Sequence, residues 1–258
     1  VIIPKLLSWN TNQNSNYFLI FLVATHLATA IVLLSFFWRD WVRIISGLLR
    51  SLKAREIRSS DPDAKLAWLL IVSTIPAGVI GLLFEENLKT FFASAQYASF
   101  FLALNGVLLF AAERLKKRSV RVENGDSDKN ISKISWAKAL IVGSMQSLAL
   151  IPGFSRTGSA IAGGLLVGLS HEDSARFSFL LATPVIGAAA ALKIPELVGS
   201  GNTAAIEVSL IGALFSATAA YFSVRYLTRY FKTQTLKPFA IYCFVAGLSL
   251  FLYFLIRR

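Results

Sequence analysis

The run from Leu148 through Ile151-Pro152-Gly153-Phe154-Ser155-Arg156-Thr157-Gly158-Ser159 sets three hydroxyls and one guanidinium at a proline–glycine turn. The stretches on both sides are apolar enough to sit in a membrane. A guanidinium at membrane depth is costly unless an anionic or polar group meets it. Arginine grips phosphate through two parallel N–H donors, and a helix that restarts after the turn adds the partial positive charge of its first amides. Ser155 and Arg156 are therefore the candidate catalytic pair, and Gln146, Gly153, Thr157, Gly158 and Ser159 the candidate substrate-binding residues. Ser155 acts as a nucleophile only if a base lies beside it. Two alternatives stay open from residue chemistry. Arg156 either receives a phosphate or pairs with a buried carboxylate and only holds the turn. Gln146, six residues before Pro152, either donates to a phosphate oxygen or bonds a neighbouring helix.

The elements that must position these groups are membrane spans. The 258 residues are 55% hydrophobic and only 16% charged, against about a quarter charged in a soluble domain. Mean hydropathy is +0.61. Apolar windows predict spans at Tyr17 to Trp38, Leu66 to Phe84, Tyr97 to Ala112, Phe177 to Ile194, Ala205 to Tyr226 and Pro238 to Ile256. Trp136 to Leu169 is apolar but interrupted at Pro152-Gly153, so each arm is short for a full crossing. A re-entrant helical hairpin fits, because broken backbone at membrane depth must line a protein-enclosed or watery cavity. The expected fold is all-α and polytopic, with about six spans and this hairpin, in one integral membrane domain covering residues 1–258.

The net charge of +12 would suggest nucleic acid in a soluble chain. Here it follows loop sidedness instead. Twenty of the 26 basic residues fall in the loops 39–65, 114–138, 176 and 225–237; Lys5, Lys89, Lys193, Arg257 and Arg258 lie opposite, and Arg156 stands alone. The rich side is cytoplasmic by the positive-inside rule, and the hairpin begins and ends on it. Nucleic acid is not a predicted partner. The lone cysteine, Cys243, excludes an intramolecular disulfide and reads as a packing residue.

Other polar residues admit simpler readings. His26, inside the first span, could shuttle protons, but bonding to a neighbouring helix is the plainer role. His171-Glu172-Asp173 looks like a metal cluster, yet it sits at a helix start where Ser170 can cap and acids suit the dipole. Glu85-Glu86 reads as a solvated span end, Glu85 to Ala95 as a short amphipathic surface helix, and Glu123 to Lys133 as a mobile cytoplasmic loop. No zinc spacing, Walker loop or dinucleotide fingerprint occurs.

Gln146-Ser147-Leu148-Ala149-Leu150-Ile151-Pro152-Gly153-Phe154-Ser155-Arg156-Thr157-Gly158 closely resembles the second signature of the bacterial undecaprenyl-pyrophosphate phosphatases, the bacitracin-resistance membrane family. Ile75-Pro76-Ala77 with Gly81-Leu82-Leu83-Phe84, Ala175 to Pro184, and Pro238 to Tyr242 agree with it, so the resemblance covers nearly the whole chain. It implies an inverted-repeat fold of two half-repeats, here 1–122 and 136–258 joined by a cytoplasmic loop at 123–135. It implies hydrolysis of undecaprenyl pyrophosphate to the monophosphate and phosphate on the outer side of the bacterial cytoplasmic membrane, with a divalent cation, Mg2+ or Ca2+. The family's other signature, a glutamate-rich helix with a Ser-Ser-Thr-Gly-His turn, belongs just before the first span and is not in this sequence. The expectation is a fragment lacking the first hairpin, with no metal ligands nameable in this chain and the nucleophile a serine or a metal-activated water. Thr157 stands where the family has serine, Ala160 where it has threonine beside Ser159, and Cys243 where arginine is frequent. A polyprenyl-phosphate flippase is the competing class, since broken helices at the midplane also build transporters. The oligomeric state stays open, a homodimer included.

Overall fold

The computed structural model describes residues 2–7, 16–58, 60–83, 94–116, 127–199 and 203–256. Those residues form α1 (Ile2–Leu6), α2 (Asn16–Phe36), α3 (Trp38–Ala54), α4 (Pro62–Leu83), α5 (Ala95–Leu115) and α6 (Ser127–Ser132). There follow α7 (Trp136–Ser147), a single 3-10 turn (Leu148–Leu150), α8 (Arg156–Val167), α9 (His171–Gly199), α10 (Thr203–Tyr230) and α11 (Lys237–Ile256). No strand occurs among the described residues. Five helices are long and apolar enough to cross a membrane, and α2 with α3 makes a sixth as a pair bent by 80°. The all-α, polytopic expectation holds, with each span found within a few residues of its apolar window.

The interrupted segment is a hairpin of two 12-residue arms, α7 and α8. At 1.5 Å per residue each arm is about 18 Å long, far short of a bilayer core of about 30 Å. Three helices grip it. From α4, the Ser73 hydroxyl donates to the Ala139 carbonyl at 2.8 Å. A Cβ at Gly143 would run into the backbone of Ser73, so the two helices touch main chain to main chain. From α9, the Ser178 hydroxyl donates to the Thr157 carbonyl at 3.2 Å, and Ser174 packs on Gly164. From α5 comes the contact with the turn described below. The core runs between these helices through Leu66, Leu69, Leu109, Ile161, Leu165, Phe177 and Leu180.

The end of the bundle from which the hairpin enters is tied by ions. Asp128, on α6, is buried; it accepts from Arg176 Nε at 2.7 Å and Nη2 at 3.0 Å, and from Arg43 Nη2 at 2.8 Å. Asp40 completes the group, 2.6 Å from Arg43 and 2.9 Å from Arg176. Glu113, also buried, accepts from the Leu236 amide at 3.2 Å and pairs with His171 at 2.9 Å. This corrects the reading of Glu123 to Lys133 as a mobile loop. Its second half is α6, with Asp128 and Ile131 buried, because carboxylate–guanidinium pairs to α3 and α9 hold it. The first half lies outside the described residues, as do Glu85-Glu86 and most of the surface helix expected after α4. The reading of His171-Glu172-Asp173 as a helix start holds: Ser170 Oγ accepts from the Asp173 amide at 3.0 Å.

α3 falls where the sequence predicts only a charged loop, and it is a strongly amphipathic helix. It buries Ile44, Gly47 and Ser51 and exposes Trp38, Val42, Ile45, Leu49 and Leu52. An apolar stripe beside basic residues, on a helix turned 80° from a span, suits the membrane–water interface.

The Asp128 pairs yield a stability prediction. Asp128→Ala leaves Arg176 without its bidentate partner in a low-dielectric contact, and removing one partner of a buried pair costs about 3 kcal/mol or more. Detergent-solubilised Asp128→Ala should melt several degrees below the parent protein; an unchanged melting temperature would contradict the network's role.

Candidate functional site

The turn between the hairpin arms is built from local backbone rules. Pro152 is buried and ends the 3-10 turn, and Gly153 takes φ +107°. A Cβ at Gly153 would collide with the Ala98 carbonyl and the Leu102 amide of α5, so the turn lies directly on that helix. Positive φ and this close approach both require glycine. Phe154 packs on Phe101, ring centres 5.9 Å apart. The chain then extends at Ser155, whose Oγ accepts from the Gly158 amide at 3.1 Å and caps α8. A serine cap satisfies one of the free amides of a first helical turn.

Arg156 is therefore the first residue of α8. It is half-buried, Ser155 is exposed, Thr157 is half-buried, and Gly158 and Ser159 are buried. Among the described residues no carboxylate pairs with Arg156. The guanidinium therefore makes no ion pair with any described residue.

Gln146 is 2% exposed, and neither its Oε1 nor its Nε2 has a partner among the described residues; nor does Ser159 Oγ, at 0%. The second alternative, that Gln146 serves a neighbouring helix, finds no such bond. Gly163 meets Val142 and Met145 across the antiparallel arms, so one turn toward the tip brings Ser159 level with Gln146. A buried polar group without a partner costs about 1–3 kcal/mol, and such groups mark places where a ligand or water completes the bonding. Guanidinium, hydroxyls, carboxamide and helix amides thus lie within the tip-ward turns of the two arms, a donor-rich set suited to an anion.

Sequence reasoning missed Asn105. It is fully buried on α5; its Oδ1 accepts from the Ser155 amide at 3.2 Å and its Nδ2 lies 3.4 Å from Cys243 Sγ. The signal was present as a lone carboxamide in the apolar run Leu102 to Leu109. Cys243 is buried and does pack, as expected, while also touching Asn105. His26 differs from expectation: its Nδ1 lies 2.7 Å from the Leu22 carbonyl of its own helix, not from a neighbouring one.

A divalent cation such as the resemblance implies takes hard oxygen ligands, carboxylates above all. The residues around Arg156 offer hydroxyl, amide and guanidinium groups but no carboxylate, and no cluster of three His, Cys, Asp or Glu side chains forms among the described residues. The described residues do not by themselves fit a divalent cation.

Fold and site together define a polytopic α-helical membrane protein with a short two-armed helical hairpin that carries Arg156 at its tip. A family profile described as "Bacitracin resistance protein BacA" matches residues 1–249. The chain is 46% identical over 266 residues to an undecaprenyl-diphosphatase of Mycolicibacterium paratuberculosis, spanning 96% of this chain and 87% of that protein. It is 45% identical to undecaprenyl-diphosphatase 2 of Chromobacterium violaceum over 96% and 87% of the two chains, and 41% identical to the Acidiphilium cryptum undecaprenyl-diphosphatase over 98% and 89%. The chain belongs to the bacitracin resistance protein BacA family.

Asn105 supplies a prediction specific to this geometry. Asn105→Leu removes the acceptor that fixes the Ser155 amide, and one hydrogen bond is worth about 1 kcal/mol. Pyrophosphate affinity should fall several-fold, measured by titration calorimetry on protein of unchanged helical content; parental affinity would show that Ser155 is fixed by other contacts.

Proposed function

We propose that the protein hydrolyses undecaprenyl pyrophosphate to undecaprenyl phosphate and phosphate, returning the lipid carrier to cell-wall synthesis and conferring bacitracin resistance. The observation that carries this is Arg156, a membrane-depth cation without a carboxylate partner among the described residues, in a family whose relatives are named undecaprenyl-diphosphatases. Those names do not favour the flippase alternative.

The roles follow from the geometry. The pyrophosphate of a lipid can reach membrane depth while its polyprenyl tail stays in hydrocarbon. Arg156 takes phosphate oxygens through its fork of donors. The α8 amides not used by the Ser155 cap face the same anion. Ser155 Oγ already accepts from Gly158, so its hydroxyl hydrogen is the part that reaches a phosphate oxygen. Thr157 adds a second hydroxyl, and Gln146 and Ser159 line the inner wall. Phosphoryl transfer asks mainly for positioning and for stabilisation of charge on the equatorial and leaving oxygens. Fixed donors in a water-poor site do this without reorganising.

The hairpin enters from the loop side rich in lysine and arginine. Its tip therefore faces the opposite side, which supports a multi-pass protein of the bacterial cytoplasmic membrane with its site open outward.

The test is phosphate release from undecaprenyl pyrophosphate by the purified protein in detergent. Arg156→Ala should lower kcat/KM by about 100-fold or more, the scale seen when a preorganised charge-stabilising donor is removed. Arg156→Lys should recover only part, since a point charge replaces a two-pronged donor. A parental rate in Arg156→Ala would remove Arg156 from the mechanism.

A further inference from the structure

Two parallel lines of side chains on α3 have no part in the roles above. Trp38, Val42, Ile45, Leu49 and Leu52 recur at spacings of four, three, four and three residues, and each is at least half exposed. Each is followed in sequence by one member of a second line: Arg39, Arg43, Ser46, Arg50 and Lys53. One residue turns an α-helix by about 100°. A line of four cations, without an acid, therefore runs beside the apolar stripe along its whole length. All four cations are exposed. Arg39 and Lys53 stand fourteen residues apart, or about 21 Å.

The remaining face fixes the helix to the bundle. Ile44, Gly47 and Ser51 are buried. A Cβ at Gly47 would collide with the backbone of Asp63 and Ala64 at the start of α4. Trp68 Nε1 donates to Ser51 Oγ at 3.0 Å. Asp40 pairs with Arg176 of α9 at 2.9 Å, and Arg43 with Asp128 of α6 at 2.8 Å. The orientation follows from the neighbours. α2 packs against α9 and α10, both long and apolar enough to cross a membrane, and α3 is turned 80° from α2. α3 therefore lies close to the membrane plane, at the end of the bundle from which the hairpin enters, with stripe and basic line both facing away from the protein.

The charges on the line are not all answered by the protein. Arg43 pairs with Asp40 and Asp128, and Arg50 binds Asp61 at 2.9 and 3.0 Å. Arg39 and Lys53, at the two ends, have no carboxylate partner among the described residues. Arg39 instead lies over the Trp38 ring, 5.4 Å from its centre. That places a cation at the border between stripe and line, beside the ring type that settles at headgroup level.

We propose that α3 is a docking surface for phospholipids of net negative charge, with Arg39 and Lys53 taking the headgroup phosphates. The stripe sits among the acyl chains, so the molecules that border the basic line are the lipids themselves. A zwitterionic headgroup brings its own cation to a line that already holds four; an anionic one does not. A basic residue at such a surface is worth roughly fivefold in lipid occupancy. Binding of this kind combines buried apolar area with attraction to anionic headgroups. The surface is distinct from the hairpin tip, which lies about 18 Å further along α7 or α8. It does not depend on the role given to Arg156.

The experiment is native mass spectrometry of the protein released from micelles holding equal amounts of phosphatidylglycerol and phosphatidylcholine. The parent should carry phosphatidylglycerol in excess. Arg39→Gln/Lys53→Gln should lower that excess fivefold or more. Lys133→Gln/Lys138→Gln removes two exposed lysines from the same end of the molecule but not from α3, and should leave the excess at its parental value. Equal lipid ratios in the parent and the α3 variant, or equal losses in the two variants, would overturn the proposal. A second readout needs no variant. In vesicles, phosphatidylglycerol with a photoactivatable headgroup should cross-link residues 38–58 of the parent more heavily than the matching phosphatidylcholine probe does; the same distribution for both probes would overturn the proposal.

Discussion

A guanidinium held within the thickness of a membrane needs something to answer its charge, and that need organises the rest of this molecule. Arg156 sits at the tip end of α8, a short arm whose other end returns to the side from which the hairpin enters. Among the described residues it has no carboxylate to pair with. An unanswered charge in low dielectric is tolerable when the site exists to receive the opposite one. The same logic covers Gln146 and Ser159, buried at one level of the hairpin with polar atoms that no described residue satisfies.

Such a site works only if the tip cannot relax toward a better-solvated position. The surrounding contacts prevent that. Gly143 and Gly153 bring the hairpin backbone against α4 and α5 at distances that a side chain would forbid. Asn105 holds the Ser155 amide, Ser73 holds Ala139 and Ser178 holds Thr157. Each of these bonds joins the hairpin to a different spanning helix. Below it, Asp128 and Glu113 tie the nearby ends of α5 and α9 through guanidinium, imidazole and backbone donors. Donors fixed in this way would meet an incoming phosphate already oriented, which is the physical content of electrostatic preorganisation.

Much of this was legible in the residues. Apolar run length located the spans, because the bilayer leaves helices no other way to satisfy their backbone. Pro152-Gly153 beside Arg156 marked the hairpin, since the turn needs a positive φ and the cation needs a cavity. What escaped reading depends on long-range partners. α6 looks like a polar loop because its order comes from guanidiniums on residues 43 and 176, distant in sequence. The bend after Phe36 was hidden because the apolar run continues through Phe37 and Trp38 into α3. Its stripe of Trp38, Val42, Ile45, Leu49 and Leu52 was nevertheless present at helical spacing, under charges that drew attention to sidedness. Asn105 was visible as a polar residue out of place, but its partner could only be found once α5 lay against the turn.

The most direct test of the account measures the contact on which it depends. With 15N-labelled arginine and pyrophosphate bound to membrane-reconstituted protein, solid-state NMR reads the dipolar coupling between 31P and the Arg156 guanidinium nitrogens, identified by its loss in Arg156→Lys. A bidentate charge-assisted contact places nitrogen and phosphorus roughly 4 Å apart, so strong dephasing is predicted. Bound pyrophosphate with no coupling to Arg156 would contradict the account.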